Sequence, residues 1–118
     1  MLFRSQTYTN STPVTINDLS TITSTINVSG RTGNAPTTSK VAVNITHTWR
    51  GDLKIDLLAP DGSVYALKAS SSSDSADNVI ATYTVNLSTE LLNGAWKLRV
   101  QDTAAADVGT LNNWSITF

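Results

Sequence analysis

The side chains here best suited to chemistry are a set of aspartates. Asp52, Asp74, Asp77, Asp102 and Asp107 each lie in a polar loop or beside a strand-like run. Loops that combine carboxylates with amides and free carbonyls could hold calcium, which takes about six to eight oxygen ligands. Asp52, Asp102 and Asp107 are the first candidates because they flank strand-like segments. Asp77, next to Asn78, is a fourth. Their spacing is not that of an EF-hand, and Asp also serves turns by hydrogen-bonding its own backbone. His47 is the only histidine, so any serine triad would need it as base. It falls on the apolar parity of an alternating run, where a structural role is expected. No G-x-S-x-G elbow, P-loop or H-E-x-x-H motif occurs. Glu90 is the only glutamate, and the aspartates sit in loops, a poor basis for a glycosidase carboxylate pair. The residues therefore argue against an enzyme.

Two further motifs invite a binding role. Trp49 lies in a loop beside Arg50 and is the one candidate substrate-contact aromatic; Trp96 and Trp114 sit on apolar strand faces and read as core. Arg50-Gly51-Asp52 matches an integrin-binding tripeptide, but Gly and Asp have a turn role there too. Asn-x-Ser/Thr sequons occur at Asn10, Asn27, Asn44, Asn86 and Asn113, a count that a Ser-, Thr- and Asn-rich chain reaches largely by chance.

The elements that must position these residues are strands. Val41, Val43, Ile45 and His47 share one face, with Ala42, Asn44 and Thr46 on the other. The same period of two runs through Leu53-Ile55-Leu57, Tyr83-Val85-Leu87, Trp96-Leu98-Val100 and Trp114-Ile116-Phe118. Ile22, Ile26 and Val28 share a parity, and Val14-Thr15-Ile16 is a shorter run. Such alternation marks a half-buried strand. Turn signals separate the runs at Asn17-Asp18, 30–36, Arg50-Gly51-Asp52, Pro60-Asp61-Gly62, 70–78, Asn93-Gly94 and 103–109. Residues 88–92 could form one helical turn. With no long helical window, the chain reads as an all-β sandwich or barrel. Residues 1–11 are uncommitted and read as a flexible segment; the domain proper spans 12–118.

Alternation of direction then sorts the loops. If consecutive strands run antiparallel, the loops at 48–52, 70–78 and 103–109 share one end, and the turns at 60–62 and 88–94 share the other. Asp52, Asp74, Asp77, Asp102 and Asp107 gather at the first end, Asp61 and Glu90 at the second.

Composition narrows the partners. Eight Lys and Arg against nine Asp and Glu leave a net charge of −1, with no basic run to neutralise nucleic-acid phosphates. The longest apolar run is Val64 to Leu67, too short for a membrane span, and no signal-peptide core follows Met1. The absence of Cys excludes disulfides and thiolate chemistry. Polarity comes instead from Ser and Thr, 32 of 118 residues.

Several segments, taken in order, resemble the P domain, or P/homo B domain, that follows the catalytic domain of proprotein convertases. These are His47-Thr48-Trp49-Arg50-Gly51-Asp52-Leu53, Ile55-Asp56-Leu57, Ala59-Pro60-Asp61-Gly62 and Ser75-Ala76-Asp77-Asn78. Gly94-Ala95-Trp96-Lys97-Leu98-Arg99-Val100 with Asp102, then Asp107, Gly109, Leu111 and Trp114 to Phe118, complete the set. The style is closest to P domains of secreted bacterial subtilisin-like or metalloproteases. The resemblance implies a jelly-roll β-sandwich of about eight antiparallel strands, galactose-binding-like in form. It implies no catalysis here, calcium in some relatives, and a covalently linked protease domain that this module stabilises and helps to fold. It also implies secretion as part of a larger precursor, of which this chain is an excised module. The alternative is a targeting module for protein or polysaccharide substrate, with Trp49 and 70–78 in contact.

Overall fold

The computed structural model describes residues 6–105 and 107–118. Among the described residues nine strands form: β1 (Thr7–Asn10), β2 (Val14–Ile16), β3 (Thr21–Val28), β4 (Ser39–His47), β5 (Leu53–Leu58), β6 (Val64–Lys68), β7 (Val79–Val85), β8 (Gly94–Asp102) and β9 (Gly109–Thr117). A 3-10 turn, Arg50–Asp52, joins β4 to β5. One sheet has the order β1-β9-β4-β7, with β2 also pairing β9; the other has the order β3-β8-β5-β6. All pairs are antiparallel. From β2 onward the chain changes sheet at every connection except the β5–β6 hairpin. This is the winding of a jelly roll, as the resemblance implied, and it satisfies the all-β sandwich or barrel that the alternation implied.

Alternating parity places the core. Val41, Val43 and Ile45 from β4 meet Leu53, Ile55 and Leu57 from β5 and Trp96, Leu98 and Val100 from β8, all buried. Each such side chain contributes about 1.5–3 kcal/mol by leaving water. The two buried indoles keep their N–H groups satisfied, Trp96 on the Leu92 carbonyl at 2.9 Å and Trp114 on Ser24 Oγ at 2.9 Å.

The structure departs from the simple pattern in three places. Residues 7–10, expected to be flexible, form β1 and pair with 114–117 of β9; residues 1–5 lie outside the described residues. Pro13, with no N–H to give a ladder, sits in the break between β1 and β2. In β9 the register slips between Asn44 and Ile45, so Asn112 is an extra residue. That bulge lets Leu111 and Trp114, of opposite parity, both face the core. Residues 88–92 hold a turn and a single bridge residue rather than a helical turn.

Candidate functional site at the loop end

The antiparallel winding brings 17–20, 48–52, 69–78, 103–105 and 107–108 to one end of the sandwich. His47, the last residue of β4, points into this end and is 1% exposed. Its Nδ1 accepts the Trp49 backbone N–H at 3.0 Å, so its proton is on Nε2, which donates to Asp102 Oδ2 at 3.2 Å. Asp102 Oδ1 accepts the Ala104 N–H at 3.2 Å. Both ring nitrogens are therefore occupied and the ring is sealed from solvent. The histidine fastens loop 48–52 to β8 and is not placed to act as a base.

A second set of bonds wraps loop 69–78 around the 3-10 turn. Gly51 N–H donates to the Asp74 carbonyl at 3.0 Å, Ser71 N–H to the Gly51 carbonyl at 2.7 Å, and Arg50 N–H to the Ala76 carbonyl at 2.9 Å. Arg50 Nε donates to Asp74 Oδ2 at 2.9 Å. Lys68 Nζ donates to the carbonyls of Arg50 at 2.8 Å and Leu53 at 3.0 Å, and burial lowers the pKa of this amine. Asn78, at φ +64°, closes the loop by accepting the His47 N–H on its side chain at 3.0 Å. Gly51 and Asp52 are buried and Arg50 is held by Asp74, so the Arg50-Gly51-Asp52 tripeptide is not presented as an adhesion signal.

The acids at this end separate into three roles. Asp52 lies near enough to Asp102 and Asp107 to feel both charges. Burial, then Asp102 and Asp107, raise the Asp52 pKa, with His47 opposing. Thr48 Oγ1 donates to Asp107 Oδ1 at 2.5 Å. Asp74 turns away to Arg50, and Asp77 is exposed on its loop. Among the described residues no group of three or more His, Asp or Glu side chains is arranged to hold a metal ion.

Exposed apolar side chains also concentrate here. Leu19, Trp49, Ile80 and Val108 lie at or beside the loop end. Trp49 is 38% exposed, while its backbone caps the 3-10 turn. Lys68 and the Arg50–Asp74 pair were not singled out by sequence reasoning. The one available signal was Lys68 as the single charge in Val64–Lys68. Glu90, at the opposite end, is buried and accepts the Tyr65 hydroxyl, again a partnership with no local signature.

The chain is similar to segments of longer proteins. Leupeptin-inactivating enzyme 1 of Streptomyces exfoliatus is 56% identical over 115 residues, 96% of this chain but 26% of that protein. The transglutaminase-activating metalloprotease of Streptomyces mobaraensis is 49% identical over 111 residues, 94% of this chain and 15% of that protein. The chain thus spans about a quarter or less of the length of these curated relatives. The crystal structure of the serine protease of Aeromonas sobria superposes with a TM-score of 0.72 at 18% identity, covering 98% of this chain and 27% of that one, a likeness of fold. Residues 36–118 match the model of the proprotein convertase P-domain, and the chain belongs to that family.

Proposed function

We propose that this domain is a non-catalytic accessory module of a secreted protease, which stabilises the catalytic domain linked to it and helps it fold. The observation that carries the reading is the mismatch of coverage. Similarity runs along nearly all of this chain yet takes up only 26% and 15% of two longer relatives, the second a metalloprotease by name. The relatives include a metalloprotease, and the fold recurs in a serine protease. A module joined to either chemistry acts through contact rather than by supplying a reacting group. The mechanism is interface burial. The rigid sandwich covers part of its neighbour and raises the barrier to local opening.

The test is a domain exchange. This chain replaces the matching segment of the Streptomyces exfoliatus enzyme, and the chimera is compared with that enzyme truncated before the segment. The chimera is expected to refold in higher yield and to inactivate about tenfold more slowly on heating, the effect of ~1.4 kcal/mol on the barrier. Equal yields and equal half-lives overturn the reading. The exposed Trp49 supports a second reading, substrate targeting. Retention of the isolated domain on chitin, cellulose, collagen or casein, lost in Trp49→Ala, favours it.

The proposal includes calcium at the loop end, supported by the nearness of Asp52 to Asp102 and Asp107. Because the Asp52 pKa is raised in the folded state, its ionised form opposes folding. The penalty is complete above the folded pKa and is relieved as pH falls through it. In chelator at neutral pH, Asp52→Asn is expected to melt above the wild type, with the gap closing toward the carboxylate range. Calcium is expected to raise the melting temperature of the wild type more than that of the variant. A wild type indifferent to calcium removes the cation from this site.

A further inference from the structure

The four sheet edges are guarded unequally. An exposed edge strand presents unpaired backbone groups, and proteins blunt it with charge, proline, bulges or cover. The β1/β2 edge is broken at 11–13, around Pro13. The β3 edge has β1 and β2 packed beside it, and Asn10 Nδ2 donates to the Thr25 carbonyl at 2.9 Å. β6 has five residues, a register shift against β5, and Lys68 at its end. β7 has none of these devices. Its seven residues, Val-Ile-Ala-Thr-Tyr-Thr-Val, include no charge and no proline, and its register against β4 is unbroken. Among the described residues no side chain hydrogen-bonds to its backbone. Ile80 on its outer face is 72% exposed, and Ala81, Tyr83 and Val85 on its inner face are half-buried.

We propose that a second copy of this chain pairs on this edge, β7 against β7, antiparallel about Thr82. The sequence is self-complementary in that register. Ala81 faces the partner's Tyr83, small against large, on the core side. Val79 faces the partner's Val85 on the same side, and Ile80 faces the partner's Thr84 outside. Faces are preserved and no like charges oppose one another. The result is an isologous dimer with one sheet continuous across both copies. It covers the exposed Ile80 and pairs the outward backbone groups. A seven-residue strand is about 24 Å long, so the interface is at the small end of specific ones and the dimer dissociates at micromolar or higher concentration.

The register makes a charge-dependent prediction. Lys40 pairs with Thr84, and its Nζ donates to Thr84 Oγ1 at 2.9 Å. In the dimer this ammonium lies beside the partner's Ile80. Ile80→Lys therefore sets like charges side by side, and Ile80→Glu sets opposite ones. Two-fold symmetry counts each contact twice, so the dissociation constant is expected to rise about tenfold for Lys and to fall severalfold for Glu. The site is exposed, so both variants are expected to fold, which the melting temperature checks. Sedimentation of the isolated chain over a range of concentrations, with amide exchange of 79–85, reads the association. A concentration-dependent dimer with slowed exchange in β7 and this order of variants supports the proposal. A monomer at every concentration overturns it, as does a dimer indifferent to both substitutions. Slow exchange in β7 only when a protease domain is fused assigns the edge to that domain and also overturns it.

Discussion

Gly51→Ala is expected to detach loop 69–78 from the 3-10 turn. A Cβ on Gly51 would collide with the carbonyl oxygens of Ser71 and Asp74. Both are backbone atoms of the loop that the Gly51 N–H and C=O hold by hydrogen bonds at 3.0 and 2.7 Å. A flexible side chain could swing aside, but these carbonyls move only if the loop does. Overpacking and two lost backbone bonds together cost about 3–5 kcal/mol. That is a large share of the roughly 5–15 kcal/mol by which a domain is stable. Urea unfolding measures the loss. Amide exchange locates it: Arg50, Gly51 and Ser71 become fast while β4 and β8 stay protected. A loss under about 1 kcal/mol would mean that the loop shifts at little cost and does not anchor this end.

His47→Ala is expected to be as severe for a different reason. It strips the buried Asp102 carboxylate of its Nε2–H donor and the Trp49 N–H of its acceptor. The orphaned charge lies close to Asp52, a second carboxylate. Each buried group left without its partner costs about 1–3 kcal/mol, and more when it is charged, so the two losses together cost about 3–5 kcal/mol. The second substitution is the informative one. Adding Asp102→Asn to His47→Ala removes the stranded charge and is expected to recover stability. Denaturant midpoints for the two singles and the double form the cycle. A double variant less stable than His47→Ala alone would show that Asp102 supports the loop end independently of the histidine.

The strands that alternate cleanly, such as 41–47 and 95–101, were legible because a period of two is a property of the extended backbone itself. β1 was not, because Thr7–Asn10 carries one large apolar residue and is a strand only through its pairing with β9. The Asn112 bulge was equally hidden: Leu111 and Trp114 differ in parity, and only a core on one side of the sheet requires both to face it. Asp56 looked solvent-facing by parity, yet it is buried beneath Arg99, its cross-strand neighbour, whose Nη2 donates to it at 2.9 Å.

For the loop end, sequence alone determined which residues share it. Counting reversals of direction carried Asp52, Asp74, Asp77, Asp102 and Asp107 to the same side, since each turn between antiparallel strands exchanges ends. Only the tertiary structure decided what each acid does there. Asp102 closes on His47, 55 positions earlier in the chain, Asp74 on Arg50, and Asp52 is left near Asp107. Direction is inherited locally, one strand at a time. Partnership depends on interstrand register and on the path of loops packed over the sandwich, which no local stretch of sequence encodes.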